Sequence, residues 1–133
     1  MKVMEAMRSP VKAVNREALV GEAILTLADE HISALPVVDQ RGAIIGVLST
    51  SDIMEAESNA SDREARDLLF EATTVEEIMT PRPLTIGPDA SVREAARQML
   101  YGDVHRLFVE EAGRLIGVIS RTDVVRAFAI QRA

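Results

Sequence analysis

The chain carries one sequence pattern twice. Gly46–Asp52 reads GVLSTSD and Gly117–Asp123 reads GVISRTD, 71 positions further on. Earlier in the two copies the separation is 72, since Met7 matches Met79, so the second copy is one residue shorter in the loop before Gly113. Two copies as short as these would each be marginal alone. We therefore expect them to pack on each other as one pseudo-symmetric module.

Hydrophobic periodicity predicts the same order of elements, β-α-β-β-α, in both copies. The predicted fold class is therefore mixed α/β, and within it the α+β type. In the first copy the expected elements cover 11–14, 20–28, 35–38, 43–48 and a helix from about 50. In the second copy they cover 84–86, 91–101, 105–109, 114–119 and 122–131. The repeats are assigned to 1–57 and 75–133, with a linker at 58–74.

The linker predicts a helix of its own over 61–72. Ser61 is followed three residues later by Glu64, which is a capping-box pattern, and the apolar residues Leu68, Leu69 and Phe70 come next. One interpretation is a connecting helix that docks by its apolar side. The other is that this helix covers a partner surface or a ligand cleft.

The amino-acid composition and net charge limit the classes of molecule that this protein is expected to bind. The chain has 133 residues, of which 47% are hydrophobic and 27% charged, with a net charge of −6. This balance predicts a soluble globular protein and disfavours nucleic acid and anionic membranes, which attract a basic face. Cysteine is absent, and His31 and His105 occupy non-equivalent positions, so no metal site is expected. No apolar run approaches the length of a membrane span, and we expect a cytoplasmic protein.

Each copy has an apolar strand that runs into Ser-x-x-Asp, which predicts a strand-to-helix junction. The N–H groups and the positive dipole end at a helix start favour an anion such as phosphate. The same residues also cap a helix when nothing binds there, so the pattern alone leaves both interpretations open.

The motifs together resemble a known family. They are Ala34–Asp39, Gly42–Gly46 and Ser49-x-x-Asp52 in the first copy, with His105–Val109, Gly113–Gly117 and Ser120-x-x-Asp123 in the second. In this order and spacing they resemble a tandem pair of cystathionine-β-synthase (CBS) domains, or Bateman module, over about 3–128. The resemblance implies a homodimer that binds AMP, ADP, ATP or S-adenosylmethionine in clefts between the repeats, with no cofactor required.

The resemblance also implies roles for particular residues. Asp52 and Asp123 match the acid that accepts hydrogen bonds from both ribose hydroxyls, a task that suits an acceptor-only carboxylate. Ser49 and Ser120 match the hydroxyl beside the phosphates. Residues implied at the adenine pocket are Ala13, Val14, Thr85 and Ile86. Residues implied near the phosphates are Thr50, His105, Arg106 and Arg121. The other implied ligand-binding residues are Leu35, Pro36, Leu107 and Thr122.

The cationic candidates are unevenly distributed. The second copy has Arg121, Arg106 and His105 where the first has Thr50, Ala34 and Ser33. Phosphate oxygens need cations or several N–H donors when they are removed from water. The second cleft is therefore expected to be the tighter phosphate site.

Three functions follow from these expectations. The first is a stand-alone regulatory module, of the energy-sensing kind, whose ligand changes its shape or association and so signals to an unidentified regulated protein. The second is a dimeric interaction scaffold that binds no ligand. The third, an enzyme, is disfavoured because the sequence has no recognisable nucleophile with its base, no glycine-rich phosphate loop and no metal cluster.

Overall fold

The computed structural model describes residues 1–132 and divides the chain into two compact units. One unit is Lys12–Pro83, which we call the continuous unit. The other, the split unit, combines Met1–Val11 with the chain from Leu84 onward. The elements in chain order are α1 (Val3–Ala6), β1 (Val14–Asn15), α2 (Val20–Glu30), β2 (Ala34–Val38), β3 (Ile44–Ser49), α3 (Thr50–Ser58), α4 (Arg63–Glu71), α5 (Val75–Ile78), β4 (Thr80–Pro81), β5 (Thr85–Ile86), α6 (Val92–Tyr101), β6 (Arg106–Glu111), β7 (Arg114–Ser120) and α7 (Arg121–Arg132).

Each unit contains one small sheet. In the continuous unit the order is β1-β2-β3-β4, and in the split unit it is β5-β6-β7. The first strand of each copy runs parallel to the second, with Val14 opposite Val37 and Thr85 opposite Phe108. The remaining strand pairs are antiparallel. The predicted order β-α-β-β-α is confirmed in both copies.

Each unit also has its own aliphatic core. The continuous unit buries Ala23, Leu27, Leu35, Val37, Leu48 and Val75. The split unit buries Val3, Ile86, Val92, Ala95, Met99, Leu107, Val109, Ile119, Val124 and Ala127. These residues come from one face of each helix and from the central strands, as the apolar spacing predicts. Removing such side chains from water is the main favourable term in folding.

The first segment of each repeat packs with the other repeat. Val3 of α1 donates its N–H to the carbonyl of Ala90 at 2.8 Å, in the split unit. Val75 of α5, 72 positions later, donates its N–H to the carbonyl of Ala18, also at 2.8 Å, in the continuous unit. The compact units therefore do not coincide with the sequence repeats, and the boundaries 1–57, 58–74 and 75–133 stay a prediction.

Helix α4, expected from the linker, packs on α2. Leu69 is buried, and a Cβ atom on Gly21 of α2 would lie 2.6 Å from the carbonyl oxygen of Phe70. Only glycine permits this approach of the two backbones. The short elements α1, α5 and β4 were not predicted, because four residues or fewer cannot display a hydrophobic period. Among the described residues, no helix has both the length and the apolar character needed to cross a membrane.

Candidate functional site

The first strand-to-helix junction joins β3 to α3 in the continuous unit. Ser49 Oγ accepts a hydrogen bond from the N–H of Asp52 at 3.1 Å, and Asp52 Oδ2 accepts one from the N–H of Ser49 at 2.9 Å. This reciprocal pair fixes the carboxylate at the helix start. The other carboxylate oxygen, Oδ1, accepts a hydrogen bond from the hydroxyl of Thr80 at 3.1 Å. Thr80 comes from β4, which pairs with β3.

The second junction joins β7 to α7 in the split unit and repeats this geometry. Ser120 Oγ accepts from the N–H of Asp123 at 3.1 Å, and Asp123 Oδ2 accepts from the N–H of Ser120 at 2.9 Å. Here Asp123 Oδ1 accepts hydrogen bonds from two guanidinium groups, through Arg8 Nε at 3.3 Å and Arg126 Nη1 at 3.2 Å. Arg8 occupies the place that Thr80 holds at the first junction, since the two are 72 positions apart.

Asp123 is the one buried charged residue among those described, with 3% of its surface exposed. Burial by itself raises the pKa of a carboxyl group. At Asp123 this effect is outweighed by the hydrogen bonds from Ser120 and by the positive charge of Arg8, so its pKa lies below the usual value. The carboxylate is therefore ionised at neutral pH and already paired.

A glycine in each central strand lets the neighbouring segment approach. A Cβ on Gly46 would lie 2.9 Å from the carbonyl oxygen of Thr80, and a Cβ on Gly117 would lie 3.1 Å from that of Arg8. Methionine side chains, Met79 and Met7, fill the space beside these glycines. The glycines therefore bring Thr80 and Arg8 next to the two aspartates.

Arg121 contacts backbone carbonyls. Its Nε donates to the carbonyl of Val104 at 3.0 Å and an Nη donates to that of Met99 at 3.4 Å, with Asp103 at 3.8 Å. Met99 lies in the last turn of α6, where its carbonyl also accepts the N–H of Val104 at 3.0 Å, and Val104 lies in the loop that follows. The guanidinium thus connects the start of α7 to the end of α6.

The remaining candidate residues fall into two groups. Four are buried, namely Leu35, Pro36, Ile86 and Leu107. Those with partly or fully exposed surface are Ala13, Val14, Thr50, Thr85, His105, Arg106 and Thr122. Each copy brings its Ser-Asp pair together, whereas the roles of the other residues in ligand binding stay predictions.

The two junctions differ in charge. Around Asp52 the neighbouring side chains are neutral Thr80 and, one helical turn onward in α3, the acid Glu55. At the position equivalent to Glu55, α7 carries Arg126, which bonds Asp123. The first junction is therefore anionic, and the second is cationic despite its buried carboxylate.

Sequence inspection missed Arg8, Arg126 and Thr80 as site residues. The signal was available in the repeat, because the offset that matches Met7 to Met79 also matches Arg8 to Thr80. The repeat could not show that the segment with Arg8 lies beside the junction of the second copy, or that the segment with Thr80 lies beside that of the first.

A separate polar cavity of about 460 Å³ lies in the continuous unit. It is lined by Arg16, Glu17, Asp39, Gln40, Arg41 and Glu76. Arg16 is ion-paired with Glu76, and the N–H groups of Ala43 and Arg41 hold the pKa of Asp39 below its usual value. None of these residues belongs to either junction. Within residues 1–132, no cluster of histidine and acidic side chains could hold a metal ion.

Comparison with known proteins identifies the family. The CBS domain model matches residues 3–59 and 75–130. The CBS domain-containing protein CBSX2 of Arabidopsis thaliana is 28% identical over 90% of this chain, and the chain spans 59% of its length. The crystal structure of CBSX2 in complex with AMP is similar with a TM-score of 0.81, 30% identity, and coverage of 99% of this chain and 98% of that one.

Two further solved structures are similar. A putative acetoin utilization protein, AcuB, from Vibrio cholerae has a TM-score of 0.83 and 26% identity, covering 99% of this chain and 92% of its own. The CBS domain pair of protein MJ0100, in complex with 5′-methylthioadenosine and S-adenosyl-L-methionine, has a TM-score of 0.77 and 25% identity, covering 96% and 99%. Two family matches along one chain, with these structural neighbours, confirm that the protein belongs to the CBS domain family as a tandem CBS pair.

Proposed function

We propose that this CBS pair is a regulatory module that binds an adenine nucleotide or a related adenosyl ligand. The observation that carries the proposal is the duplicated junction, in which a serine N-cap holds an aspartate carboxylate at a helix start. A carboxylate fixed in this way can accept hydrogen bonds from the hydroxyls of a ribose. CBSX2 with AMP and MJ0100 with 5′-methylthioadenosine and S-adenosylmethionine support this ligand class.

The output of such a module would be a change in shape or association, and no catalytic role is assigned to this chain. A ligand changes conformation only if it binds two states with different affinity. We propose that the module works as a cytoplasmic homodimer and that an unidentified regulated protein senses the change. Exposed apolar side chains on α6 and α7, among them Leu100 and Val125, offer surface for association.

For phosphate, the split unit offers the more favourable charge. Arg8 and Arg126 lie at its junction. Arg106 is the first residue of β6, and His105 comes just before that strand. Arg121 can contribute only if it releases the carbonyls of Val104 and Met99, which it bonds in this structure. We propose that the second junction is the tighter phosphate site.

One observation favours the alternative, a dimeric scaffold without ligand. The carboxylate of Asp123 already bonds Ser120, Arg8 and Arg126, so its charge is compensated within the chain. A structural role alone would explain this arrangement. The two functions differ in whether adenosyl ligands stabilise the protein.

A thermal-shift panel separates the two functions. Purified protein would be melted with AMP, ADP, ATP, S-adenosylmethionine and 5′-methylthioadenosine, with and without magnesium, and with GTP as a base control. A ligand at 100 times its dissociation constant adds about 2.7 kcal/mol to the free energy of unfolding. The Asp52→Asn, Asp123→Asn double variant is the matched control, since Ser49 and Ser120 still cap their helices and an asparagine carbonyl can still accept the N–H bond of each serine. A panel without any shift in the wild-type protein would favour the scaffold.

A further inference from the structure

The two junction carboxylates differ in how many hydrogen bonds they already accept. An ionised carboxylate has about four acceptor positions. Among the residues that the structure describes, Asp52 accepts two hydrogen bonds, from Ser49 and Thr80. Asp123 accepts three, from Ser120, Arg8 and Arg126. A ribose diol donates two, so it fits the unused positions of Asp52 but exceeds those of Asp123.

Binding a ribose at Asp123 therefore requires one arginine to give up its bond. Arg8 is the better candidate. Its side chain is 66% exposed, and it contacts the carboxylate through Nε. It also comes from a different segment of the chain, so no helix holds it beside Asp123. Arg126 sits three residues after Asp123 on the same helix, so the helix itself keeps it close.

A displaced Arg8 needs another anion. A guanidinium that loses its carboxylate partner loses favourable charge pairing, and a phosphate can replace that partner with two parallel hydrogen bonds. A ligand without phosphate, such as adenosine, takes the carboxylate and offers nothing in exchange. At the first junction no cation has to move, because Thr80 supplies a neutral hydroxyl.

We propose that Arg8 is a specificity-determining residue, which restricts the Ser120–Asp123 junction to phosphorylated adenosyl ligands and leaves the Ser49–Asp52 junction open to uncharged or cationic ones. This inference rests on the proposed function, since it assumes that the junctions bind ribose.

The test compares AMP with adenosine by titration calorimetry on the full chain, since these ligands differ only in the phosphate. An Asp52→Asn background confines carboxylate-dependent binding to the second junction while the Ser49 cap of the helix remains. In that background AMP should bind at least about tenfold more tightly than adenosine. Adding Arg8→Thr, which installs the residue of the first junction, should reduce this ratio to about threefold or less, because AMP loses the guanidinium–phosphate bonds and adenosine no longer has to displace a cation.

Two further variants control for charge and for folding. Arg97→Thr removes one positive charge from the same unit, where Arg97 pairs with Glu94 on α6, and should leave the ratio unchanged. Arg8→Lys keeps the charge but not the two parallel hydrogen bonds, so it should retain only part of the preference for AMP. Because the readout is a ratio of two affinities in one variant, partial loss of stability does not mimic the effect.

The outcomes separate this inference from the proposed function. If wild-type protein binds neither ligand, the proposed function fails and this inference fails with it. If wild-type protein binds AMP but the Asp52→Asn variant binds nothing, or if Arg8→Thr leaves the ratio as it was, only the role of Arg8 is overturned. A ratio that falls equally with Arg97→Thr would also overturn it, because net charge would then be the cause.

Discussion

Replacing Asp123 with alanine should destabilise the fold more than the same change at Asp52. The Asp123 side chain is only 2% exposed, and three groups donate to it, namely Ser120, Arg8 and Arg126. Asp52 is only partly buried and accepts from a backbone N–H and a neutral hydroxyl. The two substitutions therefore remove the same carboxylate half of a capping box from two different environments.

The magnitudes follow from these contacts. A hydrogen bond to a charged acceptor contributes about 1.5–3 kcal/mol, and this applies to the bond from the N–H of Ser120. Arg8 and Arg126 are 66% and 57% exposed, so each ion pair adds no more than about 0.5 kcal/mol. We expect Asp123→Ala to lower the free energy of unfolding by about 2–3 kcal/mol. For Asp52→Ala, which removes the matching bond from the N–H of Ser49 in a more exposed environment, we expect about 1–2 kcal/mol.

Urea denaturation of both variants at pH 7 and at lower pH tests this reasoning. The pKa of Asp123 is depressed in the folded state, so its stabilising effect is present above the unfolded pKa and is lost as pH falls through the folded one. The difference between wild type and Asp123→Ala should therefore shrink below about pH 4. Equal losses from the two substitutions at pH 7, or a difference that persists at low pH, would refute the argument.

Three other expectations concern Arg121, two glycines and the oligomeric state. Arg121→Ala should lower the free energy of unfolding by about 1–2 kcal/mol through loss of two carbonyl contacts, and Arg121→Lys should not restore it, because one ammonium cannot reproduce the guanidinium fork. Gly46→Ala should cost about 1–3 kcal/mol because its Cβ would press on the carbonyl of Thr80. The control is Gly87→Ala, whose Cβ would meet nothing within 4 Å, and it should change the free energy of unfolding by less than about 0.5 kcal/mol. Urea denaturation measures both glycine variants. Light scattering at micromolar concentration should give twice the monomer mass, and a monomer would contradict the proposed homodimer.

The junctions could be predicted from sequence because their signal is local. Ser and Asp three residues apart determine a helix start, and a buried strand before them is visible as an apolar run. The same reasoning located α6, where Ser91 caps the helix through the N–H of Glu94. Duplication strengthened both predictions, since each copy supports the other.

The partners of these junctions could not be predicted because they come from distant parts of the chain. Arg8 and Asp123 are separated by 115 positions, and no local pattern relates them. Arg121 was expected to contact phosphate, since sequence shows its charge but not what surrounds it. The structure places the carbonyls of Met99 and Val104 within its reach, and a guanidinium can donate to carbonyls as well as to anions.

The exchange of segments between the repeats sets an order of assembly during translation. The continuous unit, Lys12–Pro83, has all of its residues once Pro83 has left the ribosome. The split unit must hold Met1–Val11 in reserve until β7 and α7 are made, because these contribute the partners of Arg8. Contacts between such distant residues form late, since closing a long loop costs entropy before any contact offsets it. Nascent chains stalled just after Pro83 has left the ribosome should therefore contain a folded first core and an unprotected N-terminal segment, which is open to proteases and chaperones until synthesis proceeds.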